Sequence, residues 1–360
     1  MNIDNAQTKI WIFGSGTFAF KVYQAAVAGG MSISGIIDHN NSEFVLFKDE
    51  PVETYELTED FNLNNLPVYF AICNPYASLS ILSQKIKACA GYVSSHSPVE
   101  LCRLLDVKGQ DIQQYWLTSS SDVYRDCASE ISLFRELLND VKSKDLYDQI
   151  LSYRTEGSLE KSPVGEGVEF QYLPPDLATP PRVLNMVELG SCGGENLESF
   201  KEEGFEFQSG YALEPDLQNY QILIKTLHQL EISNLHAIPL AAWNCEEKLR
   251  FESHGGTNSS ISDVGGDFVQ AVSLDNLLPK ASPINYIKMD IEGAELNALL
   301  GASQIIQTHT PHLAICIYHQ PTHLWEIGLW IHQNFRDRYA FHIRTYAEQT
   351  FETVLYCIPI

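Results

Sequence analysis

Between Tyr286 and Glu295 the sequence reads YIKMDIEGAE, which sets a lysine and three carboxylates within ten residues. The run PINYIKM reads as a strand ending at Asp290, and EGAELNALLGA as the helix that follows. Lys288 and Asp290 are two apart, so both side chains leave the strand on one face. Glu292 and Glu295 fall near the helix start, where the macrodipole favours anions whether or not they react. His319 closes the next apolar run, LAICIYH, and is expected beside Asp290. An imidazole with an ordinary pKa of about 6.5 can take a proton from a hydroxyl. Asp290 and His319 are therefore the candidate reactive pair, with Lys288 and Glu292 beside them. His323 reads more simply as an exposed residue at a helix start. Strand-end carboxylates could also hold Mg²⁺, although histidine is a poor ligand for so hard a cation.

Two glycine turns suggest ligand binding. VELGSCGGENLESF, residues 187–200, reads as a strand, a tight turn and a helix. Gly190 and Gly194 allow a sharp turn and close approach of backbone to a ligand. Glu188 stands two residues before the first glycine and suits an ammonium better than a pyrophosphate, which it would repel. Glu214, in YALEPD, follows Gly194 by 20 residues, the spacing at which an acid meets ribose hydroxyls. S-adenosylmethionine has an amino group and a ribose but no phosphate, and fits both acids. A glycine turn with two solvated acids is the plainer alternative. Nearer the start, IFGSGTFAF carries Gly14, Gly16 and Ala19 as G-x-G-x-x-A, with Asp38 22 residues after Gly16. A helix N-terminus there can hold phosphates, and Asp38 a ribose.

These residues need parallel strands to position them. Over 1–101, KIWIFG, SISGIID, PVYFAICN and YVS read as strands, with helices at TFAFKVYQAAVAGG and ASLSILSQKIKACAG. That alternation predicts a Rossmann-like α/β domain. Over 102–179, ASEISLFRELLNDVKSKDLYDQILSYR has Ile131, Phe134, Leu137, Leu138 and Val141 near helical spacing. The Gly- and Pro-containing stretches GSLEKSPVGEG and LPPDLATPP follow it, so this region reads as a helical connector and loop. From 180 to 360, RVLNMVEL, EFQSGYAL, LHAIPLAA, PINYIKMD and HLAICIYH are five candidate parallel strands. YAFHIRTY and TVLYCIPI lie too close together for a parallel crossover and should pair antiparallel. A parallel sheet closed by such a hairpin fits the seven-stranded sheet of S-adenosylmethionine-dependent methyltransferases.

Composition narrows the partners. The chain has 360 residues with 23 basic and 46 acidic side chains, a formal net charge of −23. Such a surface repels phosphate backbones, so no nucleic-acid partner is expected. No apolar run approaches the roughly 20 residues that span a bilayer. The opening MNIDNAQTKI lacks the basic start and apolar stretch of a secretory leader. Eight cysteines without a C-x-x-C pair suggest reduced thiols, and the expectation is a cytoplasmic protein.

From about Gln171 to the C-terminus the sequence resembles the FkbM-family methyltransferases. The matching stretches are YLPPDL, VELGSCGGEN, GYALEPDLQNY, IPLAAWN, VSLDNLL, YIKMDIEGAELNALLGA, PHLAICIYH and TVLYCIPI, in the family's order. IKMDIEGAE is the most specific of them. The resemblance implies a class I methyltransferase fold, S-adenosylmethionine as donor, and methylation of a hydroxyl on a sugar or other small molecule. It adds Ser191, Pro215 and Ala241 to the implied donor contacts. Cys192 departs from the pattern, because the family often has Asn or a similar residue there. Residues 1–101 resemble the small Rossmann-like domain at the front of sialic-acid-type sugar acetyltransferases, through IFGSG, VYFAICNP and GYVSSHSPVE. That likeness implies a nucleotide or nucleotide sugar at Gly14, Gly16 and Asp38. A scaffold that positions the other domain or pairs two copies of the chain is the competing reading. The second functional reading for the whole chain is a nucleotide-sugar-binding protein whose methyltransferase-like half is inactive.

Overall fold

The computed structural model describes residues 9–39, 41–58, 61–90, 94–110, 116–117, 121–253, 259–261, 266–279 and 282–360. The chain forms two units. The first comprises Met1–Ala128, Asp145–Gly165 and Ala347–Phe351, and the second Ser129–Lys144, Glu166–Tyr346 and Glu352–Ile360. Residues 102–179, expected as a connector, are thus distributed between both. Among the described residues no helix is long and apolar enough to cross a membrane. The described cysteines are free thiols.

The first unit holds β1 (Lys9–Phe13), β2 (Ser32–Asp38), β3 (Thr54–Glu56), β4 (Val68–Phe70) and β5 (Ser95–His96). They form one parallel sheet in the order β3-β2-β1-β4-β5. The helix Thr17–Ala28 buries Phe18, Ala19, Val22, Tyr23 and Ala26 in the same core as Ile10, Ile12 and Ile36. Strand β3 is too short for its apolar pattern to announce it. Most of the expected strand YVS lies outside the described residues, and the paired strand is Ser95–His96.

In the second unit the strands, in chain order, are β6 (Val183–Leu189), β7 (Glu206–Leu213), β8 (Leu235–Ile238), β9 (Ala241–Ala242), β10 (Glu247–Glu252) and β11 (Ser260–Ile261). They are followed by β12 (Asp267–Val272), β13 (Tyr286–Met289), β14 (His312–Cys316), β15 (Tyr339–Thr345) and β16 (Thr353–Pro359). The main sheet has seven strands in the order β15-β16-β14-β13-β6-β7-β8. Five are parallel, and β16 runs antiparallel to both β14 and β15. The predicted hairpin is present, and its second strand lies inside the first. LHAIPLAA divides at Pro239 into β8 and β9, and β9 belongs to a second sheet, β11-β10-β12-β9. Proline has no amide to donate, so the ladder ends there.

The helical stretch after residue 128 also divides, into Ala128–Leu137 and Val141–Glu156. Between them Asn139 pairs with the backbone of Phe341, donating its amide and accepting through its side chain. Phe134 and Leu138 are buried as their spacing predicts, but Val141 is exposed. The break resets the helical phase, so the residue after it no longer shares the apolar stripe.

Candidate functional site

Strand β13 lies between β6 and β14, with Lys288 opposite Glu188 on one side and Ala314 on the other. The carboxyl ends of β6, β7, β13 and β14 therefore converge, the position where open α/β sheets bind ligands.

Gly190 has φ 72°, and a Cβ there would lie 1.8 Å from the carbonyl oxygen of Asp290. Its glycine is required because two strand ends touch. Cys192 has φ 48°, a left-handed conformation that Asn tolerates better than most residues. Gly194, φ 85°, starts the helix Glu195–Glu202. Ser191 is buried, with its hydroxyl 3.4 Å from the Glu188 carbonyl oxygen. Glu214 stands just past β7 and is buried. Its Oε2 accepts the Cys192 amide at 2.8 Å and its Oε1 the Asp216 amide at 2.9 Å. Each oxygen keeps a lone pair for a hydroxyl. Burial pushes this carboxyl up to about 7, with the two amides pulling the other way. Pro215 is half-buried beside it. Asp216 caps the helix Leu217–Gln229, and its Oδ2 accepts from Ser253 and Ser259. Ala241 lies in β9, in the smaller sheet.

Two expected roles change. Glu188 was expected to meet a ligand's ammonium, but it is fully buried and faces the ammonium of Lys288 at 3.8 Å. Lys288, expected among the reactive groups, is buried too and donates to the Gly190 carbonyl oxygen at 2.7 Å. Burial alone would lower the Lys288 pKa, but Asp290 and Glu188 raise it, so the ammonium stays charged. Burial raises the Glu188 carboxyl, and Lys288 opposes that.

On the other side of the turn lies a cluster of acids. Asp290 Oδ2 accepts from the Tyr172 hydroxyl at 2.9 Å, and its Oδ1 is 3.5 Å from His319 Nε2. Glu292 Oε2 is 3.6 Å from the same nitrogen. His319 Nδ1 lies 2.9 Å from Glu295 Oε1, and His323 Nδ1 lies 3.1 Å from Glu295 Oε2. Glu295 also accepts the Ile291 amide at 3.0 Å. The structure thus brings Asp290, Glu292 and His319 together as the sequence predicts. His319 does not suit the role of base. Burial alone would lower its pKa, but Glu295, Glu292 and Asp290 raise it to about 10, so the ring is protonated at neutral pH. Glu295 is more than a helix-start acid: it is fully buried, and burial, which raises its pKa, is outweighed by the two histidines, which lower it. His323 is buried rather than exposed. Burial pushes Glu292 up to about 7, with His319 opposing.

Sequence reasoning missed Tyr172 and Glu352. Tyr172 is buried with φ 70°, its hydroxyl on Asp290 and its ring 5.1 Å from Lys288 Nζ. Glu352 accepts from Gln171 at 2.7 Å and from Tyr318 at 3.2 Å. Tyr172 opens the stretch YLPPDL and Glu352 immediately precedes TVLYCIPI, but nothing in the local pattern of either points to the Asp290 cluster.

Among the described residues, two groupings place side-chain atoms close enough to share an ion, Asp290–Cys316–Glu352 and Asp290–Glu295–His319. Neither donor set fits Mg²⁺. The first set adds a cysteine sulfur and the second an imidazole, both softer donors than Mg²⁺ takes. Each set leaves only two carboxylates for a cation that prefers six oxygens.

In the first unit Gly14 has φ 130°, and a Cβ there would lie 2.8 Å from the Ala71 carbonyl oxygen. Gly16 is the N-cap of Thr17–Ala28 without a side-chain cap, and a Cβ there would meet open space. Ala19 is buried in the core. Asp38 Oδ2 accepts from the Ser15 hydroxyl at 2.6 Å.

The second unit's sheet order, with its antiparallel strand inserted before the edge, and the glycine turn after β6 define a class I methyltransferase fold. Residues 191–352 match the family model of the methyltransferase FkbM domain. The chain is similar in structure to methyltransferase FkbM from Methylobacillus flagellatus KT, with TM-score 0.77 and 20% identity over 98% of this chain and 90% of that one. Weaker likenesses include an rRNA methylase from Streptococcus thermophilus (TM-score 0.32, 14% identity, 50% of this chain and 89% of that one). Another is fibrillarin from Aeropyrum pernix (TM-score 0.31, 9% identity, 52% of this chain and 72% of that one). No curated protein matches the sequence significantly.

Proposed function

We propose that the second unit transfers the methyl group of S-adenosylmethionine to a hydroxyl of a sugar or sugar-bearing small molecule. The observation that carries this reading is the junction of Gly190 with Asp290, which joins a glycine turn with its ribose-type acid to a carboxylate cluster. Buried and half-buried acids dominate that junction. They suit a donor carrying sulfonium and ammonium charges and disfavour a phosphate-bearing one. Glu214 and the turn would hold the donor, which supplies a methyl already activated on sulfur. Asp290, steadied by Tyr172, would orient the acceptor hydroxyl. The acceptor oxygen forms its bond to the methyl carbon as the carbon–sulfur bond breaks, and that electron pair stays on sulfur. The hydroxyl proton passes to Glu292, whose carboxyl titrates near neutrality. His319 remains a fixed positive charge among the carboxylates. Much of the acceleration comes from holding oxygen, methyl and sulfur in line.

Titration of the protein with S-adenosylhomocysteine tests the donor. The expected affinity is micromolar, on the order of 8 kcal/mol. No binding would favour the inactive-domain reading. Incubation of cell extract with protein and isotopically labelled donor, followed by mass spectrometry, tests the acceptor; a label recovered only on nitrogen or carbon would refute hydroxyl transfer.

For the first unit we infer binding of a nucleotide or nucleotide sugar. The uncapped helix start at Gly16 and its open space leave room for a diphosphate, with Asp38 at the end of β2 to meet a ribose. A thermal-shift screen should show stabilisation by a nucleoside diphosphate sugar. Stabilisation by NAD alone would reject this assignment, and no response to any nucleotide would favour the scaffold.

A further inference from the structure

We propose that Lys288 is a positioning residue that sets the shape of the donor turn through its hydrogen bond to the Gly190 carbonyl oxygen, and does not touch the transferred group. The inference rests on the donor site proposed above. Strand register alone puts Lys288 opposite Glu188 across β6 and β13. From there its ammonium lies 3.8 Å from Glu188 Oε1 and 2.7 Å from the Gly190 oxygen. Both side chains are buried, with Lys288 2% exposed and Glu188 0%, so neither is available to the acceptor.

Within the turn the Gly194 amide donates to the Ser191 carbonyl oxygen at 2.7 Å and the Gly193 amide to Glu195 Oε2 at 3.1 Å. Gly190 is in a left-handed conformation with no side chain, and Cys192 is left-handed as well. The amides of Gly190 and Ser191 donate to the Leu213 carbonyl oxygen, and the Cys192 amide donates to Glu214. Those bonds tie the turn to β7. Lys288 ties the carbonyl side of Gly190 to β13, the strand that ends at Asp290. A charged donor makes that bond stronger than a neutral one, and burial keeps water from competing for it.

Glu188 explains why a lysine can be buried here. Lys288 is the cation facing Glu188 at 3.8 Å and the largest influence opposing burial of that carboxyl, with Ser191 and Asn196 acting in the same direction. Lys288→Met alone would strand that carboxylate and put the fold itself at risk. The informative comparison is therefore Glu188→Gln against the double variant Glu188→Gln/Lys288→Met, where no buried charge is orphaned by the second change. The two differ in the ammonium that holds the Gly190 oxygen.

Two measurements decide the matter. Calorimetric titration with S-adenosylhomocysteine should show the double variant binding about tenfold more weakly than Glu188→Gln, the scale of losing one charged hydrogen bond. Amide hydrogen exchange over residues 189–195 should be faster in the double variant, with thermal midpoints alike. Equal affinity and equal exchange in the two variants would overturn the proposal and leave Lys288 as a counter-ion for Glu188. Wild-type protein that fails to bind S-adenosylhomocysteine would instead refute the donor site, and the exchange comparison would still decide whether Lys288 holds the turn.

Discussion

Both units carry a strand, a glycine turn, a helix and an acid at the end of the next strand, but the two turns are built differently. In the first unit Asp38 is met by a serine hydroxyl, and Gly16 opens onto space. In the second, Glu214 is met by two backbone amides, and Gly190 is pressed against Asp290. The first turn is an open helix start that could receive phosphate. The second is enclosed by acids and fixed from beneath by a buried ion pair. The local pattern is shared. The charge and packing around the two turns are what differ.

The sharpest way to break the contrast is to remove chemistry from the second turn's neighbour. Asp290→Asn should lower methyl-transfer turnover about 10²–10⁴-fold with donor affinity nearly unchanged. Steady-state rates beside a calorimetric titration would check it, and unaltered turnover would return Asp290 to a structural role.

His319→Gln should cost about 1–3 kcal/mol of stability, because Glu295 loses one of its two histidine partners and keeps His323. The pH dependence has a defined sign. The folded-state pKa of His319 is raised, so its contribution is fully present below about 6.5 and lost as pH rises through about 10. Denaturation midpoints across that window should fall in wild type more steeply than in the variant.

Next come the glycines. Gly190→Ala should destabilise the second unit by about 2–4 kcal/mol through a left-handed backbone and a clash with Asp290. Gly16→Ser should change stability by only a few tenths of a kcal/mol, since serine suits an N-cap. Chemical denaturation of both variants compares the two turns directly.

Glu214→Ala should weaken S-adenosylhomocysteine binding by about 1–3 kcal/mol, measured by titration. A chelator should leave turnover unchanged, because the candidate donor sets suit Mg²⁺ poorly. Activity lost to chelator and restored by Mg²⁺ would overturn that chemistry.

By itself the sequence determined the α/β alternation, the terminal hairpin, both glycine turns and the meeting of Asp290, Glu292 and His319. Each of these follows from local periodicity or from the rule that neighbouring strand ends share an edge. Strands β10 and β12 were missed: KLRFE alternates but has no glycine turn beside it, and DFVQAV, which runs into VSLDNLL, does not alternate. Only the tertiary structure decided the charge states and roles. His319 reads as a base when considered alone, but three carboxylates from one short segment surround it and hold its proton. Glu188 reads as a ligand contact until β13 places Lys288 opposite it. Tyr172 and Glu352 reach the cluster from distant parts of the chain. Protonation and hydrogen bonding depend on distance and burial, and folding sets both between residues that the sequence holds far apart.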